Sequence, residues 1–551
     1  NGKFTLASTA PPDLKLRAQG YLTTLGKILQ ETWQQAVDSS ETSGADCSSK
    51  VTVTTTDLQP TLSIGVIGDV ANGKSTLVKA ISGKRTQAHS TEQQQHGITI
   101  RLGFANSAVI KCSDDICGAY SFLPESQDKG DGVSLPKCSK CGHPTNVVKR
   151  FSLVDCPGHA ELMATMLAGA SSFDAVLLAA ASNVPCPTPQ ARQHLEAINM
   201  SGIISALQRG GSSPIAIAQT KAELLADDTK SLLSRLSPKE RLEHHARQGR
   251  DNLKKSVAGA APIFPVCAPL GLGLDAVAEW IANLPSTPNV PQKTTAPLLS
   301  VLRSFDINRP GQLATTLTGG VLGGTIAGSG TISVGDTLEV RPGLCFPSSS
   351  RGKSSETKKL LWTKKEKSQN DKSAAVTAPD PFRIQPLQFH CTTLMTGKNK
   401  LSSVSKGGLV AVGTSLDPLI CANNGMVGAV AGPVGTLPPV WGPTLLMDHL
   451  HFVDLLPESG AKESKRKPSD LLKKGSEVRC HIGSATVKGQ VVRVSKSAGK
   501  VEVHVEGPIC AARGANVALE GKGNNGFCLV AHAKLADGNI CLEGVDTTDA
   551  E

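Results

Sequence analysis

The sequence predicts an α/β fold in which a doubly wound phosphate-loop domain is followed by two small β-barrel domains. Three observations support this prediction. An apolar run at 62–67 leads into a glycine-rich loop and a helical pattern. Apolar strands then alternate with helical segments as far as about residue 285. Beyond that point, short β-patterned runs punctuated by glycine replace long helices. A chain of 551 residues has room for several domains.

The alternating region sets the expected order of elements. Strands are expected at 62–67, 151–155, 174–180, 214–219 and 262–266, and helices near 75–82, 160–171, 189–200, 230–250 and 274–283. Such alternation is typical of a mostly parallel sheet that binds phosphates at its strand carboxyl ends. The expected segments are an N-terminal extension (1–57) with a helix near 22–36, a nucleotide-binding domain (58–286), a first barrel (293–443) with a polar insertion (347–380), and a second barrel with a tail (444–551).

The glycine-rich loop fits the pattern G-x-x-x-x-G-K-[ST] in full. Gly68, Gly73, Lys74 and Ser75 occupy its fixed positions. Glycines let backbone N–H groups turn towards phosphate oxygens, and the helix that follows presents its positive end to the anion. Lys74 adds a cation near the β- and γ-phosphates, and Ser75 offers a hydroxyl to Mg²⁺. The sequence therefore predicts binding of a nucleoside triphosphate.

A second motif follows a predicted strand at Asp155-Cys156-Pro157-Gly158-His159. Asp155 is placed to reach Mg²⁺ through a water, and the N–H of Gly158 can approach a γ-phosphate. His159 is placed to orient an attacking water. Thr99, between the two motifs, is a candidate Mg²⁺ ligand. Taken alone, Asp155 could equally cap a helix, and Thr99 could equally be an ordinary strand residue.

Four cysteines form a pattern of their own between these motifs. Cys112 and Cys117 give C-x₄-C, and Cys138 and Cys141 give C-x₂-C after a further 20 residues. Four thiolates at such spacings suit a closed, tetrahedral structural Zn²⁺ site within 112–141. His143 could replace one ligand, and four unrelated buried cysteines are the alternative.

The base-recognition motif is unusual. The strand at 214–219 is followed by Thr220-Lys221-Ala222-Glu223, where GTP-binding proteins usually have Asn-Lys-x-Asp, and Cys267-Ala268 stands where Ser-Ala is usual. Glu223 can still accept two hydrogen bonds from guanine, although its extra methylene moves the carboxylate by about a bond length. Reduced affinity or relaxed base choice is the hypothesis that follows.

Composition limits the cellular setting. The 15 cysteines are odd in number and scattered, which favours a reducing, cytoplasmic compartment over a disulfide framework. No run of 18 apolar residues occurs, so no membrane partner is expected. The net charge of +10 permits nucleic-acid binding without requiring it. The basic runs at 358–372 and 462–474 are either RNA contacts or solvated faces.

With these motifs in order, the chain resembles the gamma subunit of eukaryotic and archaeal translation initiation factor 2, a family of elongation factor Tu-like translational GTPases. The likeness includes SIGVIGDVANGKSTLVKAISG, FSLVDCPGHAELMATMLAGASSFDAVLLAAASN and GGVLGGTIAGSGTISVGDTLEVRPG. It covers most of residues 60–345 and 385–440. The cysteine pattern separates this family from most Tu-like relatives.

The resemblance implies a GTPase that carries methionyl initiator tRNA to the small ribosomal subunit. Its implied partners are alpha and beta subunits and GTPase-activating and exchange factors. It also implies the site residues. Lys74 and His159 act in hydrolysis; Ser75, Thr99 and Asp155 bind Mg²⁺; and the nucleotide is held by Asp69, Val70, Ala71, Asn72, Gly73, Lys74, Ser75, Thr76, Gly158, Thr220, Lys221, Glu223, Cys267 and Ala268.

Two departures from the family leave alternatives open. The family typically has His at the positions of Asp69 and Asn72, and Asp69 adds a negative charge beside the phosphates. A divergent factor with weakened hydrolysis, acting as a binding scaffold, is one alternative. An elongation factor for a specialised tRNA is the other.

Overall fold

The computed structural model describes residues 58–86, 99, 101–128, 135–184, 187–200, 203, 213–226, 261–285, 296–346, 382–455, 467–523 and 526–542. Several predicted features lie outside the described residues: the helices expected near 22–36 and 230–250, the insertion at 347–380 with the first basic run (358–372), residues 462–466 of the second basic run, and the last residues of the chain. Within the described part of the chain, no helix combines the length and the apolar character needed to cross a bilayer.

The first sheet has seven strands. They are β1 (Leu62–Ile67), β2 (Gly103–Cys112), β3 (Tyr120–Pro124), β4 (Thr145–Asp155), β5 (Ala175–Ala181), β6 (Ile215–Thr220) and β7 (Ile263–Pro265). Their order is β3-β2-β4-β1-β5-β6-β7. Strands β4, β1, β5, β6 and β7 are parallel, as predicted, whereas β2 and β3 form an antiparallel extension that the sequence pattern does not predict.

Helices cover both faces of this sheet. They are α1 (Lys74–Ser82), α2 (Met163–Ala170), α3 (Pro189–Met200), α4 (Glu223–Ala226) and α5 (Leu274–Asn283), with 3₁₀ turns at Ala160–Leu162 and Ala268–Leu270. Side chains of α1 and α5 pack with Ile64 and Val66 of β1, while those of α2 and α3 pack with Ile67. Successive strand residues point to opposite faces, so β1 contributes to both cores. The predicted doubly wound fold is confirmed.

Two closed barrels follow. The first contains β8 (Leu298–Phe305), β9 (Val321–Ser333), β10 (Thr337–Phe346), β11 (Arg383–Thr396), β12 (Asn399–Leu401), β13 (Ser403–Thr414) and β14 (Val430–Pro433), with α6 (Pro418–Cys421) and 3₁₀ turns at Ala314–Thr316 and Ala422–Asn424. Six strands form the ring β10-β14-β8-β9-β13-β11, closed by pairing of β10 with β11. Closure removes free sheet edges.

The second barrel has the same plan. It contains β15 (Val440–Phe452), β16 (Glu477–Ile482), β17 (Ala485–Ser495), β18 (Lys500–Val505), β19 (Ile509–Cys510), β20 (Asn516–Gly523) and β21 (Gly526–Leu542), with α7 (Pro468–Leu471). The six-stranded ring β18-β17-β16-β20-β21-β15 closes where β15 pairs with β18. Both predicted barrels are therefore present, and the limits between domains remain predictions.

The first barrel is bound to the sheet domain by polar contacts. The side-chain amide of Gln59 donates to the Ser405 carbonyl at 2.6 Å, and the Ser405 N–H donates back to Gln59 Oε1 at 2.9 Å. Gly407 allows this approach, since a Cβ there would lie 2.6 Å from the Thr61 carbonyl oxygen. Next to it, the Leu409 N–H donates to the Ser152 hydroxyl at 2.9 Å.

The second barrel contacts the sheet domain through apolar side chains. Val453, Ala518 and Leu529 are buried in the same cluster as the residues of α2 and α3. Burial of apolar surface of this kind stabilises by about 25 cal/mol per Å². Helix α2, which follows the second nucleotide motif, and helix α3 are thus packed directly on the second barrel.

Candidate functional site

The phosphate loop joins β1 to α1 at the carboxyl edge of the sheet. Gly68 is required there, because a Cβ would lie 2.3 Å from the Ala179 carbonyl oxygen. The Lys74 ammonium donates to the Asp69 carbonyl at 2.8 Å, so the lysine lies along the loop. Burial lowers the pKa of Lys74, and the negative charge of Asp155 opposes that shift. A cation held at low solvent exposure is strongly attracted to phosphate.

Asp69 lies within this loop with its side chain half-buried. Its Oδ1 accepts a hydrogen bond from the Val70 N–H at 2.6 Å. The carboxylate therefore occupies one of the loop's own donors, instead of pointing only to solvent.

Three side chains that could supply oxygen ligands to a metal ion lie together beside α1. The hydroxyls of Ser75 and Thr99 are 3.1 Å apart. Asp155, at the end of β4, is fully buried, and its Oδ2 accepts from the Thr86 hydroxyl at 2.5 Å. Its Oδ1 is buried without a hydrogen-bond partner among the described residues.

Burial raises the pKa of Asp155, while hydrogen bonds from Thr86 and Ser75 and the charge of Lys74 oppose the shift. A divalent cation would favour the ionised carboxylate and would partner the orphaned oxygen. Hydroxyl, carboxylate and water oxygens are the ligands that Mg²⁺ prefers, so the residues present fit this ion.

Gly158 lies directly against the phosphate loop. A Cβ at this position would lie 2.4 Å from Lys74 Nζ and 3.0 Å from the Val70 nitrogen. The predicted second motif thus meets the first in space, although Thr99 and Gly158 are far from the loop in sequence. His159 follows immediately, half-buried, at the start of the turn that leads into α2.

The predicted base-site residues also come together. Thr220 ends β6, is buried, and donates from its hydroxyl to the Asn72 carbonyl at 2.7 Å. Lys221 has a left-handed φ of 55°, and its carbonyl accepts from the Ser182 hydroxyl at 2.6 Å. The Ala222 N–H donates to Val266, which brings Cys267 and Ala268 beside this segment.

Glu223 carries the acceptors for a base. Its Oε2 is buried without a hydrogen-bond partner among the described residues. Burial raises the pKa of the neighbouring Cys267 thiol to about 12, and a hydrogen bond to Glu223 adds to the shift. The thiol is therefore a neutral donor to the carboxylate, which leaves one oxygen available for the edge of a base.

Several residues of the site belong to none of the recognised sequence motifs. Thr86 donates to Asp155, Ser182 donates to Lys221, and the Ala179 carbonyl accepts from the Asn72 amide at 3.0 Å. Ala179 and Ser182 lie at the carboxyl end of β5, so the general rule for parallel sheets could have pointed to them. Nothing local marks Thr86.

The four predicted cysteines form one cluster. All four sulfur atoms lie within 4.8 Å of one another. The Sγ–Sγ distance is 3.3 Å between Cys112 and Cys141 and 3.8 Å between Cys117 and Cys138. A tetrahedral site with Zn–S bonds of about 2.3 Å requires sulfurs about 3.8 Å apart. The donor set therefore fits a metal ion, and it does so without His143, whose side chain is 58% exposed.

The described geometry is that of a phosphate-loop domain on two barrels, and comparisons with known proteins agree with it. The family model for the elongation factor Tu GTP binding domain matches residues 59–285, and that for the C terminus of initiation factor eIF2 gamma matches 452–535. Fold and site together define a translational GTPase with a GTP-binding domain.

The relatives narrow this class. The chain is 36% identical over 464 residues to translation initiation factor 2 subunit gamma of Pyrococcus horikoshii, covering 84% of this chain and 94% of that protein. It is 35% identical over 486 residues to eukaryotic translation initiation factor 2 subunit gamma of Schizosaccharomyces pombe, covering 87% and 94%. The chain belongs to the gamma subunit family of translation initiation factor 2.

Solved structures support the fold alone. The selenocysteine-specific elongation factor EF-Sec of a bacterium aligns with a TM-score of 0.51 at 16% identity, and the match covers 86% of this chain and 58% of that one. Elongation factor SelB from Methanococcus maripaludis, solved with the GTP analogue GppNHp, aligns with a TM-score of 0.50 at 15% identity. The match covers 87% of this chain and 80% of the SelB chain.

Proposed function

We propose that the chain, in its GTP form, binds methionyl initiator tRNA and delivers it to the small ribosomal subunit in the cytoplasm. Alpha and beta subunits of the same factor are its proposed partners, with GTPase-activating and exchange factors controlling its cycle. One observation supports this most strongly: the match to gamma subunits extends over 94% of the length of the relatives.

The residues of the site have proposed roles in this cycle. Lys74 and the loop from Asp69 to Thr76 would bind the phosphates, and Ser75, Thr99 and Asp155 would hold Mg²⁺, which neutralises phosphate charge when bound. His159 would orient the attacking water. Ordering of the segments around Thr99 and Gly158 would set the positions of the barrels and so the tRNA surface.

The base and the structural metal complete the assignment. Guanine would be held by Glu223, with Thr220, Lys221, Cys267 and Ala268 forming the rest of its pocket. Cys112, Cys117, Cys138 and Cys141 would bind one structural Zn²⁺.

Initiator tRNA binding is tested with the purified chain alone and with its subunits. We expect methionyl initiator tRNA to bind in the presence of a slowly hydrolysed GTP analogue, more weakly with GDP, and elongator methionyl-tRNA to bind more weakly than the initiator. Recovery of a different tRNA with the tagged chain would instead favour a specialised elongation factor.

Hydrolysis is tested by GTP turnover with and without small ribosomal subunits. Turnover stimulated by the subunits is expected, and His159→Ala should retain GTP but hydrolyse it more slowly. Asp69, whose carboxylate lies in the phosphate loop, favours the second candidate, a scaffold with weakened hydrolysis. Turnover that stays at background under all conditions would support that candidate.

A further inference from the structure

Helix α3 reaches the Gly158 segment with its first turn. The side-chain amide Nε2 of Gln190 donates a hydrogen bond to the Gly158 carbonyl. This turn is well fixed, because the Thr188 hydroxyl accepts from the Ala191 N–H at 3.1 Å and Pro189 occupies the first helical position. Gln190 therefore extends from a capped helix end onto the motif.

Gly158 is a flexible point of the motif. Glycine samples a wider range of backbone conformations than other residues, and a Cβ here would lie 3.0 Å from backbone atoms of Asp69 and Val70. The Gly158 carbonyl belongs to the peptide that joins Gly158 to His159, so the bond from Gln190 holds this peptide plane and with it the backbone N–H of His159. A fixed carbonyl next to the Cα also limits the conformations open to Gly158, which lies against the phosphate loop.

A second residue of α3 lies towards the same loop. His194 is one helical turn after Gln190, is 1% exposed, and has no hydrogen-bond partner for either ring nitrogen among the described residues. Burial lowers the pKa of His194 to about 4, and the charge of Lys74 lowers it further, while Asp69 opposes. The Gln190–His194 face of α3 is thus within electrostatic reach of the phosphate loop.

The remainder of α3 is anchored on the second barrel. The Gln193 amide donates to the Asp454 carbonyl at 3.2 Å, and the Asn516 amide donates to the Met200 carbonyl. Ala197 and Ile198 are buried against that barrel in a shared cluster. A helix of 12 residues, about 18 Å long, therefore gives Gln190 a rigid base.

We propose that Gln190 is a positioning residue that holds the Gly158 peptide for contact with the γ-phosphate, and so sets how well the chain distinguishes GTP from GDP. This inference rests on the proposed function. It assigns no contact between Gln190 and the nucleotide itself. Because only the triphosphate has a γ-phosphate, removing the restraint affects one nucleotide and spares the other.

The test uses the full chain and a near-isosteric replacement, Gln190→Met, which keeps the side-chain length and removes the donor. Affinities for GDP and for a slowly hydrolysed GTP analogue are measured by titration. We expect the analogue to bind about tenfold more weakly and GDP to stay within twofold, since tenfold corresponds to about 1.4 kcal/mol, the scale of one hydrogen bond. In Gln190→Glu the carboxylate would repel the Gly158 carbonyl, so the affinity for the GTP analogue should fall by at least as much.

Gln193→Met is the matched control, because it removes the same amide from the same helix but at the barrel contact. It should leave both affinities within twofold, and thermal unfolding midpoints verify that all variants fold. Equal losses for GDP and the analogue in Gln190→Met, or no loss for either, would overturn the inference alone. A wild-type chain that binds neither nucleotide would overturn the proposed function, and this inference with it.

Discussion

The hydroxyl of Thr220 donates a hydrogen bond to the backbone carbonyl of Asn72, 2.7 Å away. This bond joins the base segment to the phosphate loop across 148 residues of sequence. Asn72 in turn donates from its amide to the Ala179 carbonyl at 3.0 Å. The phosphate loop is therefore connected to the carboxyl ends of both β5 and β6, and the unusual Thr in place of Asn keeps the link to β6.

Thr220→Val removes this hydroxyl while keeping the shape of the side chain. A net hydrogen bond contributes about 0.5–1.5 kcal/mol, so GTP and GDP should each bind about two- to twelvefold more weakly. The affinities for GTP and GDP should fall by the same factor, because the hydrogen bond orders the loops and does not involve the γ-phosphate. Titration with each nucleotide measures this, and Thr220→Ser, which keeps the hydroxyl, is the control. Unchanged affinities in the valine variant would show that the link does not matter for binding.

Glu223 should decide the choice of base. We propose that its Oε2, buried without a hydrogen-bond partner among the described residues, accepts from the 2-amino group of guanine, which inosine lacks. Glu223→Ala should weaken GTP binding by about 2–3 kcal/mol and bring the ratio of GTP affinity to ITP affinity close to one. Competition titration of the two nucleotides provides the measurement.

Glu223→Asp is the matched variant for this test, since it keeps a carboxylate at the usual length of the motif. It should retain the preference for GTP over ITP. If the alanine variant kept the wild-type ratio, another group would have to read the base.

Local patterns were sufficient for much of the fold. The apolar runs of β1 and β5 are buried on both faces, and such runs are recognisable without knowledge of their partners. The loop around Lys74 and the four cysteines were recognised because their spacing is fixed by the geometry of phosphate and metal binding. The glycine-punctuated runs likewise indicated barrels.

The missed features depend on distant partners. Strand β2 mixes half-buried and buried residues, and it becomes a strand by pairing with β4 rather than through its own pattern. Gln59 and Ser405 are 346 residues apart, and Gln190 contacts Gly158 from a separate helix, 32 residues further along the chain. Contacts of this kind are set by tertiary packing, which no short window of sequence contains.

The cysteine cluster predicts one zinc ion per chain. Cys117→Ser should lose most of the metal, because serine is a poor zinc ligand at neutral pH, and should lower the thermal unfolding midpoint of the wild type. Metal analysis by mass spectrometry and a thermal melt are the measurements. Cys345 is a half-buried cysteine outside the cluster, so Cys345→Ser should keep one zinc ion per chain. Purified wild-type chain without stoichiometric zinc would contradict the assignment.

Asp174 should make stability depend on pH. It lies half-buried just before β5, and its Oδ2 accepts from the Ser63 N–H at 2.8 Å. Burial raises its pKa from 3.8 to about 6, against the opposing effects of that hydrogen bond and of Lys406. The folded chain therefore favours the neutral carboxyl, a preference that stabilises fully below about pH 4 and is lost as the pH rises through 6.

Asp174→Asn keeps an oxygen acceptor for Ser63 and cannot ionise. Its stability relative to the wild type should rise from near equality at pH 4 to an advantage of about 3 kcal/mol at pH 7, the equivalent of a shift of about two pKa units. Urea unfolding of both chains between pH 4 and 8 measures the difference. Asp115→Asn, at an exposed aspartate, should follow the wild-type profile. Parallel profiles for the wild type and Asp174→Asn would mean that this carboxyl titrates as it does in the unfolded chain.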